Sequence, residues 1–171
     1  MRRYPGEPPF TSVVKPLKTL VAAVVGTVIG LIVLLLVVRT TGLNPRGPRP
    51  GLWLTGELVT APVEDWSFAN SYPLVEVQTN TWYSIPHSVA IYCVSYQKHL
   101  YLQSIGKTWK RNVARDPHVR IKIGNQLYDR LVSYVSDVPE YSGVEQSMVQ
   151  KYGGTPAKEF RPNAYLRVFE K

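Results

Sequence analysis

An uninterrupted apolar stretch near the start of the chain constrains its fold more than any other feature. Residues 19–38 carry no charged side chain, and most of them are Leu, Val, Ile or Ala. A helix rises about 1.5 Å per residue, so this stretch would be roughly 30 Å long, the hydrocarbon thickness of a bilayer. The sequence therefore predicts a tail at 1–18 and one transmembrane helix over 19–39. The rest of the chain is long enough for a single small domain.

The same stretch raises the alternative of a cleaved signal peptide. It is longer than the apolar core of a typical signal peptide, which has about 7–15 residues. No small-x-small cleavage pattern comes after it, since the residues after Leu36 are Val-Val-Arg-Thr-Thr. Both features favour a retained anchor.

The net charge of +8 is concentrated around this stretch. Residues 1–50 hold seven Lys or Arg and one Glu, whereas residues 51–171 hold 13 basic and 11 acidic side chains. Cations and Trp beside a span favour the headgroup region, so Lys18, Arg39 and Trp53 are predicted to lie at the membrane interface, in contact with lipid. The nearly neutral domain argues against nucleic-acid binding.

The distribution of Lys and Arg also bears on topology. Four precede the stretch and three come after it within about twenty residues. At the inner (plasma) membrane, this difference of one charge favours a cytoplasmic N-terminus and a periplasmic domain. Because the difference is so small, the sequence leaves open on which side the domain lies.

Small residues recur every four positions within the apolar stretch, at Ala22, Gly26 and Gly30. They share one helix face, and small side chains let another helix backbone approach closely. We expect this face to pack against transmembrane helices of other subunits. The alternative is that Gly and Ala are simply common in such helices.

The pattern changes after the apolar stretch. Residues 40–51 are rich in Pro, Gly and Arg, which predicts a semi-stiff linker before a domain at 52–171. Within the domain, Gly124-Asn125 is typical of a tight hairpin turn. Helices are predicted over 107–115 and 139–152. Period-two alternation predicts strands at 52–59, 74–79, 88–96, 100–102, 119–123, 127–135 and 165–169. The predicted fold is mainly β with peripheral helices: a small antiparallel barrel preceded by a single transmembrane helix.

One segment, residues 100–124, goes beyond general β patterning. A strand ends in the turn Gln-Ser-Ile-Gly-Lys, a short helix carries Trp109 and Arg-Asn, and Asp-Pro leads into a strand of alternating basic and apolar residues. This resembles the split β-barrel superfamily of flavin- and deazaflavin-binding proteins, related to pyridoxamine-phosphate oxidase and the deazaflavin-dependent nitroreductases. The resemblance covers roughly residues 70–152.

The resemblance implies a homodimer and a cofactor such as FMN or a deazaflavin. It places the cofactor phosphate near this turn, and Ser104, Lys107 and Arg111 are the matching candidates. A hydroxyl, a helix N-terminus and two cations together favour an anion. The turn contains one glycine, Gly106, where the deazaflavin-dependent branch tends to have a longer Gly-rich loop.

Other reactive side chains form no recognisable site. Cys93 is the only cysteine, so it forms no disulfide within the chain, and its apolar surroundings predict a buried thiol. The histidines His87, His99 and His118 lack metal-ligand spacing, and no G-x-S-x-G elbow occurs. We therefore name no catalytic residue and no metal site.

These features support two functional hypotheses. The first is a non-catalytic, cofactor-free accessory subunit of a larger membrane complex of the respiratory or photosynthetic type. The alternative is a membrane-tethered flavin- or deazaflavin-dependent oxidoreductase acting on a quinone-like or nitro substrate. The small-residue face and the reduced cofactor turn favour the first hypothesis, and a lone tethered binding module is a third option.

Overall fold

The computed structural model of the chain describes residues 11–104, 106–157 and 159–170. The predicted tail at 1–18 therefore lies largely outside the described residues. The chain divides into two compact units, one ending at Val38 and one beginning at Arg39. We describe each unit by itself.

A single helix, α1 (Thr11–Thr41), contains the apolar stretch. Its segment Leu17–Thr41 is long and apolar enough to cross a membrane by length and composition, a property that anchors and signal sequences share. Gly26 and Gly30 are exposed, and a Cβ added to either would meet no atom within 4 Å. The small-residue face is thus open in this unit, and its packing against other helices stays a prediction.

The second unit is built from short strands and two helices. A 3-10 helix at Ser67–Ser71 precedes the main sheet. The helices are α2 (Lys107–Arg115) and α3 (Val138–Tyr152). The strands are β1 (Glu57–Leu58), β2 (Val75–Thr79), β3 (His87–Ile91), β4 (Cys93–Tyr96), β5 (His99–Gln103), β6 (His118–Ile123), β7 (Gln126–Tyr134) and β8 (Tyr165–Phe169).

The sheet curls back on itself. Its strand order is β3-β2-β6-β7-β8-β5-β4 with antiparallel neighbours, and β1 adds a short parallel pairing to β7. The two end strands are halves of one segment that bends at Tyr92, whose carbonyl accepts a hydrogen bond from Gln103 N at 2.9 Å. The predicted strand at 88–96 is therefore interrupted at Tyr92. The predicted class, an antiparallel curled barrel with few helices after a long apolar helix, is confirmed.

Local signals set the turn and helix boundaries. Ile123 pairs with Gln126 across a two-residue turn, and Gly124 there has φ +63°, which suits glycine. Helix α2 has the predicted bounds, and α3 begins one residue before its prediction. The Asp137 side chain caps α3 by accepting a hydrogen bond from Glu140 N at 2.8 Å.

Two hydrophobic clusters hold the unit together. The first fills the inside of the curled sheet, where Trp109 of α2 is 1% exposed and packs among residues such as Val77, Leu102 and Ile121. The second lies under α3 and includes Tyr141 and several residues of the facing strands. The second cluster is rich in tyrosine, which brings polar hydroxyl groups into a buried region.

The segment predicted as a linker folds onto the barrel. Leu43 N donates to Trp53 O at 2.9 Å and Leu52 N donates to Leu43 O at 2.8 Å, while Gly51 and Ser88 of β3 exchange two backbone hydrogen bonds. Gly51 is buried, and a Cβ there would clash with the Leu43 carbonyl oxygen. Residues 43–53 thus form a hairpin rather than a free spacer, and the first strand is limited to Glu57–Leu58.

Candidate phosphate-binding site

The N-terminus of α2 presents backbone donors in the middle of the segment that carries the sequence resemblance. Gly106 is the N-cap residue with φ +86°, a conformation that L side chains rarely adopt. Within the described residues, no side chain caps this helix end, and its first turn contains no acidic residue. The first N–H groups of a nine-residue helix are therefore available to an anion.

Ser104, two positions before the N-cap residue of α2, has an unpaired hydroxyl. It directly succeeds β5, and its backbone N donates to Ala164 O at 2.7 Å, which ties the turn to the loop before β8. The residue is 6% exposed, and its Oγ has no hydrogen-bond partner among the described residues. A buried hydroxyl without a partner carries a desolvation cost that a bound polar molecule would remove.

Ser104 lines a cavity of about 270 Å³. Two cationic side chains line it: Lys110 from α2 and Arg161 from the loop between α3 and β8. Gln103 and Asn163 add amide groups. The lining thus combines a hydroxyl, two amides and two cations and contains no carboxylate, a donor set that suits a phosphate group.

The structure separates the sequence-predicted residues. Ser104 lines the cavity, whereas Lys107 and Arg111 lie exposed on α2, one turn apart, and are not part of the lining. Sequence reasoning missed Lys110 although it lies within the same basic helix. It also missed Arg161, because no periodic pattern in residues 153–164 relates that loop to the turn after β5.

A second cavity, of about 250 Å³, adjoins the first and shares Gln103 and Arg161 with it. Its polar centre is Glu145 of α3, which is 5% exposed. The Tyr165 hydroxyl and Ala157 N donate to this carboxylate, and Arg161 Nη2 lies 3.3 Å from Oε1. Burial alone would raise the pKa of Glu145, but these hydrogen bonds and the Arg161 charge outweigh it and lower the pKa.

The only cysteine belongs to the first cluster, and its backbone contacts the Tyr152 hydroxyl of α3. Cys93 is fully buried, as predicted, and burial raises the pKa of its thiol. Lys151 of α3 donates to the Cys93 carbonyl at 2.8 Å and to the Ala69 carbonyl at 3.2 Å. The Lys151 ammonium group thus joins the C-terminal end of α3 to the barrel.

Other candidate chemistry is sparse in the described part of the chain. No group of three or more His, Cys, Asp or Glu side chains there is placed to hold a metal ion. His118 contacts Asp116, with Nδ1 at 2.8 Å from Oδ1, and His99 contacts Arg167. These histidines pair with neighbouring charged groups on the surface.

Comparison with known proteins gives a likeness of fold. No family model matches the chain, and no curated protein matches its sequence. An F420-H2 dependent reductase is 16% identical, over 57% of this chain and 94% of that one, with a TM-score of 0.47. A conserved hypothetical protein from Mycobacterium tuberculosis is 20% identical, over 68% and 82% of the two chains, with a TM-score of 0.48.

A FAD-binding protein from Mesorhizobium loti is also similar, at 13% identity over 60% of this chain and 82% of that one, with a TM-score of 0.41. At these identities and TM-scores, the three likenesses carry no argument about this chain. A role for the chain has to be argued from its own site.

Proposed function

We propose that the barrel binds the phosphate of a flavin or deazaflavin cofactor and that the chain is a membrane-tethered oxidoreductase. The observation that carries this proposal is Ser104, whose buried hydroxyl lacks a partner among the described residues and which lines a cavity with two cations. Ser104 is one of several described residues with a buried polar atom that has no partner, and what sets it apart is its place in the lining of a cavity that also contains two cations. A purely structural accessory domain gives no reason for it.

The residues divide the task of holding the phosphate. Ser104 donates a neutral hydrogen bond, and Lys110 and Arg161 supply charge-assisted ones. The N-terminus of α2, two positions after Ser104, adds positive potential. Lys107 and Arg111, the candidates that the resemblance implies, add positive potential from the exposed face of α2. The bound flavin or deazaflavin would supply hydride transfer, and the protein would fix its position.

The tether limits the substrate class. If α1 is retained as an anchor, the barrel works beside a lipid phase, where quinone-like or nitro-aromatic compounds concentrate. A homodimer and an inner-membrane location complete the proposal. No residue is assigned a catalytic role, because the cofactor carries the chemistry in such enzymes.

Binding measurements on the full chain in detergent test the proposal. FMN and a phosphate-bearing deazaflavin are titrated against the protein, and riboflavin serves as the matched ligand without phosphate. We expect Ser104→Ala and Lys110→Gln each to weaken FMN binding about tenfold, since a hydrogen bond to a charged group contributes about 1.5–3 kcal/mol. The affinity for riboflavin should not change.

The controls are Ser142→Ala and Lys98→Gln, which remove the same groups from exposed positions outside the cavity. Both should bind FMN like the unchanged protein. The proposal fails if the unchanged protein binds neither phosphate-bearing cofactor at millimolar concentration.

A specific observation favours the accessory-subunit alternative as a second candidate. The face of Ala22, Gly26 and Gly30 is open, and Trp82, in the loop between β2 and β3, is 79% exposed beside Tyr83. Small-residue helix faces and exposed aromatic rings are both used in subunit contacts. Gentle solubilisation tests this candidate: a chain that always migrates alone or as a homodimer would rule it out.

A further inference from the structure

A polar cavity of about 490 Å³ lies elsewhere on the second unit. Its floor is the outer face of β2, β6 and β7, where the register places Gln78 opposite Arg120 and Arg120 opposite Asp129. Leu54 N donates to Gln78 Oε1 at 2.8 Å, which brings the segment after the hairpin against this face. Two further residues line the cavity: Trp53, the last residue of the hairpin, and Arg39, the first residue of the second unit.

Three arginines, Arg39, Arg120 and Arg130, line the cavity. The Arg130 guanidinium pairs with Glu170 and lies over the rings of Trp66 and Tyr128, so Arg39 and Arg120 are the cations considered for a ligand. The lining contains one carboxylate, Asp129. That carboxylate binds Arg120 through two contacts, Nε to Oδ1 at 2.7 Å and Nη2 to Oδ2 at 2.9 Å. The pair uses two of the five N–H donors of the Arg120 guanidinium and fixes its plane. An oriented guanidinium with donors to spare is suited to a phosphate group.

The position of Arg39 in the chain indicates where such a phosphate would come from. Arg39 comes directly after Val38, the last residue of the uncharged stretch, and it is the first residue of the second unit. When an apolar helix spans a bilayer, a cation at its end lies at the level of the lipid headgroups. Trp, here Trp53, favours the same zone.

We propose that this cavity binds the phosphate headgroup of an anionic phospholipid. The cavity has no lining residue in common with the one at Ser104, so the inference stands whether or not a cofactor binds there. It requires only that α1 is retained as an anchor. Lipid binding would then select membranes rich in anionic lipid and hold the barrel at their surface.

Native mass spectrometry of the full chain, released from micelles that mix phosphatidylcholine with phosphatidylglycerol, tests the proposal. The unchanged protein should retain one phosphatidylglycerol in preference to phosphatidylcholine. Arg39→Gln should lower this retention about tenfold, as expected for the loss of one charge-assisted contact. The double variant Arg120→Gln/Asp129→Asn removes a cation and an anion together, so the net charge of the protein stays the same. We expect it to lower phosphatidylglycerol retention by a similar factor.

The matched control is Arg46→Gln, an exposed arginine a few positions further along the chain and outside the cavity lining. It should retain phosphatidylglycerol like the unchanged protein. If Arg46→Gln lost as much phosphatidylglycerol retention as Arg39→Gln, the retention would reflect a general attraction between basic residues and anionic lipid. That result would overturn the proposal. So would an absence of preference for phosphatidylglycerol in the unchanged protein.

A further arm separates lipid from soluble phosphate. Glycerol phosphate is titrated against the full chain in a neutral detergent without lipid. Millimolar or weaker binding supports a lipid site, in which the acyl chains contribute to retention. Binding as tight as that of phosphatidylglycerol would assign the cavity to a soluble phosphate compound instead. If the double variant does not fold, as judged by circular dichroism, Arg39→Gln decides the outcome, since Arg39 is exposed.

Discussion

Two adjoining cavities of the barrel unit are each lined by a buried polar residue, Glu145 in one and Ser104 in the other. The two residues differ in whether the fold supplies hydrogen-bond partners for their side chains. Glu145 receives hydrogen bonds from the Tyr165 hydroxyl and Ala157 N and an ion pair from Arg161. The Ser104 hydroxyl has no partner among the described residues. Removing the buried carboxylate would leave its donors without an acceptor and destabilise the fold, whereas a hydroxyl without a partner is available to a ligand.

The largest expected effect is the loss of the satisfied charge. Glu145→Ala removes the acceptor of several buried donors, and we expect the free energy of unfolding to fall by about 3 kcal/mol. Denaturant titration of the full chain in detergent, followed by circular dichroism, measures this. Glu64→Ala removes an exposed carboxylate and should change stability by no more than about 0.5 kcal/mol. Equal effects of the two variants would contradict the structural role of Glu145.

A smaller effect is expected from removing one donor to the same carboxylate. Tyr165→Phe keeps the ring in the cluster under α3 and deletes the hydroxyl that bonds Glu145. We expect a loss of about 1–2 kcal/mol in the same titration, because one carboxylate oxygen loses a partner. Tyr83→Phe, at an exposed ring, is the control and should be neutral. A neutral Tyr165→Phe would show that the remaining donors suffice.

The lowered pKa of Glu145 predicts an acid-dependent stability. A carboxyl whose folded-state pKa lies below its ordinary value, 4.5, stabilises the fold above that value and loses the contribution as the pH falls through the folded pKa. The stability difference between the unchanged protein and Glu145→Gln should therefore be largest near pH 7 and shrink below about pH 4.5. Melting temperatures measured across this range check it. A difference that grows on acidification would contradict the sign of the shift.

The smallest effect on stability is expected at the unpaired group. Ser104→Ala should change the free energy of unfolding by less than about 0.5 kcal/mol, since it removes a buried hydroxyl that makes no hydrogen bond with the described residues. Thr79→Val is the contrasting control. The Thr79 hydroxyl is equally buried but bonds the His87 carbonyl and the Asn112 side chain, so its loss should cost about 1–2 kcal/mol. Equal costs for the two variants would mean that Ser104 has a partner in the folded chain.

The parts of this molecule that the sequence predicts well are those with local causes. Helix α2 is indicated by the spacing of Trp109 and Val113 and stops before Pro117, and the turn at Gly124 needs only two residues to specify it. The bend at Tyr92 depends instead on partners in β2 and β5, on either side of the segment. The sequence around it reads as one continuous strand.

The candidate site also combines residues that a local motif predicts with residues that only tertiary packing brings in. Ser104 and the end of α2 come from one continuous motif, so the resemblance locates them. Arg161 reaches the site from a loop about fifty residues later, in a region without periodicity, and only tertiary packing brings it there. The hairpin at 43–53 escapes prediction for a related reason. Its Pro and Gly content is typical of linkers, and its docking depends on backbone contacts with Ser88.

The place of β8 in the sheet has a consequence for biosynthesis. This strand comes after all the others in chain order, yet it pairs with β5 on one side and β7 on the other. Until the ribosome has released it, the earlier strands can form their hairpins but the sheet between β5 and β7 stays open, with two unpaired edges. Until β8 has emerged, a nascent chain would therefore expose two unpaired strand edges, a state in which a chaperone protects against aggregation.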